Sequence, residues 1–355
     1  MRVAYTLEQC WHRVPGGTGT AALSLAGAIV RQGGTELIGV AGRHRRPATP
    51  GFEPGIRVAH LPVGGALLYE AWLRAGWPLV ESVVESPDVV HATTVIPPAT
   101  RAPLVATLHD IAFVRHPEFF TVRGNKVFAR SLAKLRRDAR IVMCSSRATL
   151  DDCTAHGFEP ARLRHVPLGV TPVSVPPGDA ARVRSAHGLP EEFVLFVGTQ
   201  EPRKNLARLI AAMGDVRGAL PLVVAGIEGW GERPAAGGAD VRFLGHVPAA
   251  DLAALYSACT VFAYPSVLEG FGLPVLEAMS AGAPVVTSRG TSTEEVAGGA
   301  AVLVDPVDVA SISAGINDAL ARRDELAALG RAHATTQTWE RTAALVVEAY
   351  AEAAR

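Results

Sequence analysis

The chain has 355 residues, a length that predicts two domains because one hydrophobic core is usually smaller. Lys and Arg (34) balance Asp and Glu (34), so no global charge attracts nucleic acid. Apolar residues make up 48% and aromatic residues 6%, which predicts a core of Ala, Val and Leu in alternating strands and helices. The four cysteines lack metal-site spacing, so we expect reduced, packed thiols, no metal and a cytoplasmic location. No apolar run is long enough to span a bilayer, so any membrane contact is expected to be peripheral, at the inner face.

The first half predicts a doubly wound sheet, in which short apolar strands alternate with helix-like segments. The predicted strands are residues 1–6, 37–41, 56–62, 89–91, 104–108, 141–144 and 166–170. After the first strand, Gly16, Gly17 and Thr18 lie in a glycine-rich turn that precedes a helix over residues 21–29. The turn has neither Gly-x-Gly-x-x-Gly spacing nor a Walker lysine, so a ligand contact and a plain positive-φ turn both stay open.

A titratable pair stands at the end of one predicted strand. His109 and Asp110 directly follow the strand at 104–108, and open α/β sheets bind ligands at this carboxyl edge. A functional and a structural role are therefore both open for the histidine.

Positive charge is concentrated in two segments of this half. Residues 123–140 predict a basic amphipathic helix with Lys126, Arg130 and Lys134 on one face. That face is either solvated or in contact with anionic lipid or a phosphorylated acceptor. The basic loop with Arg43, Arg45 and Arg46 is interpreted as solvated.

A proline-rich stretch separates the two halves. Prolines at 167, 172, 176 and 177 interrupt any periodicity, and Gly178 with Asp179 adds a turn signal, so we place a linker at 171–190. The second half then predicts another doubly wound sheet. Its predicted strands are residues 193–197, 221–225, 241–245, 261–264, 285–288 and 301–304. An amphipathic helix over Trp339–Ala353 ends the chain.

Two adjacent cations follow the first strand of the second half. Arg203 and Lys204 come after Gly198, next to a helix predicted to begin near Leu206. Cations at a helix start oppose its dipole, so an anionic ligand is favoured over plain surface charge, with phosphate suiting both side chains. Further on, the backbone around Gly245 and Val247 follows a strand and is a weaker candidate for contact with a flat base.

The most informative stretch is EGFGLPVLE at 269–277, which precedes a helix predicted to end near Gly282. Gly270 and Gly272 allow close backbone approach, and amides entering the helix present donors to an anion. Acids beside an anion site are expected to serve hydroxyls rather than cations, so Glu269 and Glu277 predict a sugar nucleotide. The alternative is a strand–loop–helix turn with two solvated glutamates.

Taken in order, the glycine-rich turn, His109 with Asp110, EPRKNL at 201–206 and EGFGLPVLE at 269–277 resemble family-4 retaining glycosyltransferases of the GT-B fold. The resemblance covers essentially the whole chain. The phrases ATLHD at 106–110 and TSRGTSTEE at 287–295 are most similar to bacterial mannosyl- or rhamnosyl-type members.

The resemblance implies an α/β architecture of two Rossmann-like, doubly wound parallel-sheet domains facing across a cleft. The implied divisions are an acceptor-side domain at 1–170, the linker at 171–190, a nucleotide-sugar-binding domain at 191–338 and a helix at 339–355 that crosses back to the first domain. The implied catalytic residues are His109, Arg203, Lys204 and Glu269. The implied donor-binding residues are Gly16, Gly17, Gly198, Arg203, Lys204, Gly245, Val247, Glu269, Gly270, Phe271, Gly272, Leu273 and Glu277. The implied acceptor-side residues are Thr18, Asp110, Lys126 and Arg130.

Within this set the resemblance implies that Arg203 and Lys204 hold the diphosphate. Glu277 would bind the ribose, and Glu269 the donor-sugar hydroxyls, with His109 approaching the sugar. The first loop departs from the family pattern, since residues 8–15 make it longer and bulkier than the shortest family forms.

The expected activity is retaining, metal-independent transfer of a hexose, with mannose or rhamnose favoured. The donor would be GDP-, UDP- or dTDP-linked, and the acceptor a glycan, a lipid-linked sugar or a small molecule. No metal, cofactor or nucleic acid is expected. The alternatives are a GT-B phosphorylase and a noncatalytic sugar-nucleotide-binding protein. No residue stands out as a covalent nucleophile, so a front-face route is favoured.

Overall fold

The computed structural model describes residues 1–229 and 238–355, and the chain divides into two compact units. The first unit comprises Met1–Gly169 together with Trp339–Arg355, and the second comprises Val170–Thr338. Each unit is built on a parallel sheet, which confirms the predicted α/β class with two doubly wound sheets. Residues 171–190, predicted as a linker, lie in the second unit.

The first unit contains a seven-stranded parallel sheet. Its strands are β1 (Arg2–Thr6), β2 (Glu36–Gly42), β3 (Val58–Leu61), β4 (Val89–Ala92), β5 (Leu104–Leu108), β6 (Ala139–Cys144) and β7 (Leu163–His165). The order β3-β2-β1-β4-β5-β6-β7 reverses direction at β1, where Val3 lies between Leu37 and Val89. Such a reversal opens a crevice at the carboxyl edge of a parallel sheet.

The second unit contains a six-stranded parallel sheet in the described part of the chain. Its strands are β8 (Val194–Val197), β9 (Leu222–Ala225), β10 (Val241–Gly245), β11 (Val261–Tyr264), β12 (Val285–Ser288) and β13 (Val302–Val304). The order β10-β9-β8-β11-β12-β13 places β8 beside β11, although about 60 residues separate them in sequence. This pairing is the topological switch of the second sheet.

The helices cover the faces of the two sheets. In the described residues they are α1 (Gly16–Gln32), α2 (Gly65–Arg74), α3 (Ala112–Arg115), α4 (Val122–Asp138), α5 (Arg147–Ala155), α6 (Asp179–Ala186), α7 (Leu206–Ala212), α8 (Ala249–Ala258), α9 (Leu273–Ala281), α10 (Ser292–Ala297), α11 (Val309–Ala321), α12 (Arg323–Ala334) and α13 (Trp339–Ala353). Helix α6 lies inside the stretch predicted as linker and packs against α8.

Two local predictions were wrong. The last strand of the first unit is β7 at Leu163–His165, just before the predicted 166–170. Two of the three residues of β7 are polar, so the apolar pattern did not indicate a strand there. The predicted segment contains Pro167, which has no N–H to donate to a neighbouring strand. The glycine-rich segment is the first turn of α1 rather than a separate turn: the helix begins at Gly16, whose φ is +59°.

The first unit buries one apolar face of its sheet under α2 and α4, through side chains that include Leu68, Trp72 and Leu135. The predicted amphipathic pattern of α4 is confirmed, since Phe128 and Leu132 pack against this core. The basic side chains lie on the opposite side of the helix, where Lys126 and Arg130 are exposed and Lys134 is partly buried. In the described residues no helix combines the length and apolar character needed to cross a membrane.

Helix α13 joins the first unit through a buried polar chain. It packs on α1, and its Tyr350 hydroxyl lies 2.6 Å from Nδ1 of His91, whose Nε2 lies 2.8 Å from Oγ1 of Thr107. Burial lowers the pKa of His91 to about 3, so the ring is neutral at physiological pH. A buried polar group is costly without partners, so His91 and Tyr350 require each other.

The packing of α11 on the second sheet gives a stability test. A Cβ added to Gly315 would lie 2.2 Å from Cγ1 of Val304, which real contacts never reach. We expect Gly315→Ala to lower the free energy of unfolding by about 1–3 kcal/mol, the usual cost of overpacking. Gly214→Ala is the matched control, since its added Cβ would meet nothing within 4 Å. Urea denaturation measures both, and equal stabilities would contradict the close packing.

Candidate active site

The second sheet places the two strongest sequence motifs side by side. EPRKNL follows β8 and EGFGLPVLE follows β11, and these strands pair in parallel, with Val194 opposite Val261. Since the carboxyl ends of parallel strands meet at one edge, the two loops lie together. The main chain joins them directly, through a 2.9 Å hydrogen bond from the Val267 N–H to the Arg203 carbonyl.

The side chains of the two motifs form one charged cluster. Lys204 Nζ lies 2.5 Å from Oε1 of Glu269, and Arg203 Nη1 lies 3.0 Å from Oε2 of the same carboxylate. Arg203 Nε also donates to Glu201 at 2.7 Å. The cluster is largely shielded from water, since the side chains of Glu269 and Lys204 are 7% and 10% exposed. We call Arg203, Lys204, Glu269 and Tyr264 the cation cluster.

The expectation that Glu269 serves hydroxyls rather than cations differs from this geometry, because both of its oxygens contact cations. Buried charge is stable only when it is paired, and Glu269 pairs with both Arg203 and Lys204, while Glu201 pairs with Arg203 as well. Burial acts to raise the pKa of Glu269, but Lys204 and Arg203 outweigh it and hold the pKa at about 2. The carboxylate is therefore ionised throughout the physiological range.

Tyr264 is the member of the cation cluster that the sequence did not reveal. Its hydroxyl accepts a 2.5 Å hydrogen bond from Lys204 Nζ and donates a 2.9 Å bond to Oε1 of Glu269. The ammonium also lies 5.0 Å from the centroid of the tyrosine ring. The strand pattern showed Tyr264 only as an apolar residue at the end of β11, and no spacing rule could have assigned it a polar role.

A second layer of hydrogen bonds fixes the loops that carry the cluster. Asn205 has a φ of +63°, and its Nδ2 donates to the carbonyls of Pro265 (2.9 Å) and Pro306 (2.6 Å). Ser292 Oγ donates to the carbonyl of Glu269 at 2.8 Å. Both loops are thus tied to the surrounding structure independently of the charged side chains.

The start of α9 fixes the other end of the EGFGLPVLE motif. Gly272 precedes the helix with a φ of +108°, and a Cβ there would lie 2.7 Å from Cγ2 of Thr293, so this position requires glycine. The predicted helix end at Gly282 is confirmed. Glu277 follows one turn into α9 and accepts a 3.0 Å hydrogen bond from the Tyr256 hydroxyl. Burial raises the pKa of Glu277, and the tyrosine bond opposes that rise.

The remaining residues of the second unit that were predicted to bind a donor lie at the same sheet edge. Gly198 follows β8, and its N–H donates to the Ala225 carbonyl at 2.9 Å. Gly245 ends β10 with a φ of +69°, and its carbonyl accepts a 2.8 Å bond from Gly226. Val247 follows it and is buried. Gly270 and Phe271 are buried in the loop before α9, and Leu273 is buried at the first residue of that helix.

In the first unit, His109 lies at the carboxyl end of β5, as predicted. Its carbonyl accepts hydrogen bonds from Ser145 Oγ (3.0 Å) and Thr149 Oγ1 (2.9 Å), and its ring bonds to the main chain of Thr93. Burial lowers the pKa of His109, so the imidazole is neutral at physiological pH. Asp110 has a local structural contact, because its Oδ1 accepts a 3.0 Å bond from the Ala112 N–H at the start of α3.

The other first-unit candidates lie on its surface. Gly16 and Gly17 are exposed at the start of α1, and Thr18 Oγ1 donates to the Pro15 carbonyl at 3.0 Å. Lys126 is exposed on α4. Arg130, on the same helix, lies 3.5 Å from Glu70. Within 1–229 and 238–355, no group of three or more His, Cys, Asp and Glu side chains is arranged to hold a metal.

Known proteins place the chain in a family. The profile described as "Glycosyl transferases group 1" matches residues 179–335, and "Glycosyltransferase Family 4" matches residues 15–173. The chain is 35% identical over 265 residues to the O-antigen chain mannosyltransferase B of Escherichia coli, with 69% of each chain covered. It is also 35% identical over 277 residues to a D-inositol 3-phosphate glycosyltransferase of Geodermatophilus obscurus, covering 71% of this chain and 62% of that protein.

Solved structures share the fold. Anabaena HepE in complex with UDP-glucose matches with a TM-score of 0.77 at 20% identity, covering 99% of this chain and 100% of HepE. WaaG, a glycosyltransferase involved in lipopolysaccharide biosynthesis, matches with a TM-score of 0.71 at 19% identity, covering 98% of each chain. The predicted family and the GT-B fold are confirmed: the chain belongs to the family-4, group 1 glycosyltransferases.

The ionised state of Glu269 predicts a pH dependence of stability. Its pKa of about 2 lies below the ordinary 4.5, so its stabilising effect is present above pH 4.5 and is lost as the pH falls toward 2. We expect Glu269→Gln to be less stable at pH 7 by on the order of 3 kcal/mol, and the gap to narrow over that acidic window. Thermal unfolding between pH 7 and pH 3 measures it. The exposed Glu348→Gln is the control, and a constant gap for Glu269→Gln would contradict the pairing.

Proposed function

We propose that this chain is a retaining hexosyltransferase whose second unit holds a nucleotide-diphosphate sugar at the cation cluster. The observation that carries the proposal is that Arg203 and Lys204 meet Glu269 at 3.0 and 2.5 Å, although about 65 residues separate them in sequence. Two cations and an acid at the carboxyl edge of a parallel sheet provide separate contacts for a diphosphate and for sugar hydroxyls.

The diphosphate and Glu269 have the same cationic partners. A donor that brings its phosphates to Arg203 and Lys204 supplies the negative charge that Glu269 otherwise provides. The fork of Arg203 suits two phosphate oxygens, while Lys204 acts as a compact charge. Glu269 then has lone pairs available for donor-sugar hydroxyls, which is the role that the sequence motif predicts for it.

The reaction develops charge where these cations lie. The bond from the anomeric carbon to the phosphate oxygen breaks, and a new bond forms from that carbon to an acceptor hydroxyl oxygen. We favour a front-face route, in which the hydroxyl proton passes to the departing phosphate. Negative charge grows on the leaving oxygen, so fixed cations stabilise the transition state more than the bound donor. Isolation of a stable glycosyl adduct on Glu269 or Asp110 would contradict this route.

The ribose and the base are assigned to α9 and to the β9–β10 side of the sheet. The Oε2 of Glu277 accepts from Tyr256, and its other oxygen is proposed to accept from a ribose hydroxyl. The backbone at Gly198, Gly245 and Val247 is proposed to contact the nucleoside, and the loop from Gly270 to Leu273 the phosphates. We propose that no metal is required, because Arg203 and Lys204 provide the positive charge.

The transferred sugar is proposed to be of the mannose type, because the O-antigen chain mannosyltransferase B is among the relatives that share 35% identity. A UDP-linked donor is the competing possibility, since HepE of the same fold binds UDP-glucose. The acceptor is assigned to the first unit, with His109 as a neutral hydrogen-bonding partner for a sugar hydroxyl. Thr18 and Asp110 are proposed to lie on the acceptor side.

A donor panel separates the candidate functions. Purified protein is incubated with GDP-mannose, dTDP-rhamnose, UDP-glucose and the free nucleoside diphosphates, and melting temperature and donor cleavage are recorded. A donor at 100 times its Kd should stabilise the fold by about 2.7 kcal/mol. Cleavage without added phosphate supports the transferase, and cleavage that requires inorganic phosphate supports the phosphorylase. Binding with no cleavage in the presence of a mannan or lipid-linked acceptor would identify a noncatalytic binding protein.

The cations are tested individually. We expect Arg203→Gln and Lys204→Gln each to lower kcat by about 10²-fold or more, as for loss of one fixed donor to a developing oxyanion. Arg323→Gln is the control, because that arginine makes an exposed ion pair with Glu192. Melting temperatures of all three variants separate lost chemistry from lost folding. Wild-type turnover in either cation variant would rule out this role.

Peripheral membrane contact is proposed for the basic face of α4, on which Lys126 and Arg130 are exposed. Lys126, Arg130 and Lys134 lie four residues apart, although the last two also approach Glu70 and Asp138. We expect their joint replacement by Gln to weaken binding to phosphatidylglycerol vesicles by about 10-fold or more, since each nearby cation contributes about 1 kcal/mol. Arg322→Gln with Arg323→Gln, in the second unit, controls for general charge. Co-sedimentation with vesicles measures the binding, and unchanged binding of the triple Gln variant would contradict the proposed membrane contact.

A further inference from the structure

We propose that Tyr264 is a positioning residue of the donor site, whose hydroxyl sets the distance and direction of the Lys204 ammonium relative to the Glu269 carboxylate. The inference rests on the proposed function, because it assigns Tyr264 a part in the same site. It adds to the sequence motif a residue that the motif does not contain.

The geometry places the Tyr264 hydroxyl between the two charges. The hydroxyl oxygen accepts a 2.5 Å hydrogen bond from Lys204 Nζ, and the hydroxyl hydrogen is donated to Oε1 of Glu269 at 2.9 Å. Lys204 Nζ also contacts that Oε1 directly, at 2.5 Å. The three groups form a closed triangle, so movement of any one of them stretches two hydrogen bonds.

Tyr264 itself is held by neutral packing. It is fully buried, its ring lies against Phe262 at 5.7 Å and Phe196 at 5.9 Å, and its carbonyl accepts a 3.0 Å bond from Thr287 Oγ1. A side chain with no exposed surface does not touch substrate, so its influence passes through Lys204 and Glu269. The stiff ring on a central strand therefore provides a fixed reference point for a flexible lysine.

The position of the Lys204 ammonium depends on a fixed neighbouring group. A four-carbon stem has many rotamers, and the ammonium of Lys204 is attracted by Glu269 and repelled by Arg203. Without the hydroxyl, direct pairing with Glu269 is the nearest remaining contact, which directs the ammonium toward the acid and away from a phosphate. The ion pair with Glu269 would then be the contact that orients Lys204, and no hydroxyl would hold the ammonium in place while a donor phosphate takes over from the carboxylate.

The charge state of Lys204 is sensitive to the same contact. Burial lowers the pKa of Lys204, while Glu269 and, more distantly, Glu201 raise it, and Arg203 lowers it further. The Tyr264 hydroxyl oxygen accepts a hydrogen bond from Lys204 Nζ, and an ammonium donates such a bond more strongly than a neutral amine. Removal of the Tyr264 hydroxyl should therefore lower the pKa of Lys204 below its value in the wild-type protein.

The test is a double-mutant cycle in the full-length chain, with whichever donor the panel shows to be cleaved. We expect Tyr264→Phe to lower kcat/KM by about 10-fold or more in the wild-type background and by less than twofold in the Lys204→Gln background. We also expect the alkaline limb of the pH profile of kcat/KM to move to lower pH in Tyr264→Phe. A purely structural role would leave that limb in place.

Tyr5→Phe is the matched control, because Tyr5 is also fully buried and donates one hydrogen bond, to the Ala22 carbonyl in the first unit. It should keep wild-type kcat/KM and the wild-type pH profile. Three results would overturn the assignment: wild-type kcat/KM in Tyr264→Phe, an equal loss in both backgrounds, or an unmoved alkaline limb. If wild-type protein cleaves no donor, the proposed function fails instead, which is a distinct result.

Discussion

The compensation of buried charge is the constraint on which the carboxyl edge of the second sheet depends. Two cations, Arg203 and Lys204, stand where little water reaches them, and one carboxylate, Glu269, pairs with both. Breaking such a pair is costly because it leaves a charge without a partner. The two loops must therefore stay together, which explains the independent main-chain bond from Val267 to Arg203 and the anchoring of both loops by Asn205.

The sheet topology makes this compensation possible. In the second unit the strand order reverses between β8 and β11, so the loops after these two strands emerge side by side. Any other neighbour for β8 would place the cations beside a different loop. The glycine at 272 completes the arrangement, because its left-handed φ turns the chain into α9 while Thr293 fills the space where a Cβ would be.

The first unit also buries polar side chains, but the histidines among them are neutral. His91 is buried and His109 is partly buried, both are uncharged, and each is held by hydrogen bonds to hydroxyl or main-chain partners. The bond between His91 and Tyr350 ties α13 to the sheet, which explains why the last helix belongs to this unit although the second unit precedes it in sequence. Burial thus selects neutral imidazoles here and paired charges in the second unit.

The sequence by itself determined the family, the two parallel sheets, nearly all of their strands and the identities of Arg203, Lys204, Glu269 and Glu277 as candidates. These follow from local signals: apolar runs, glycines and motif spacing along the chain. Only the tertiary structure decided that Glu269 faces cations, that Tyr264 joins them and that Asp110 bonds to the Ala112 N–H. Those outcomes depend on which strands become neighbours and on how much water each side chain loses. The spacing of residues along the chain specifies neither the strand neighbours nor the loss of water, because both arise only when distant segments pack together.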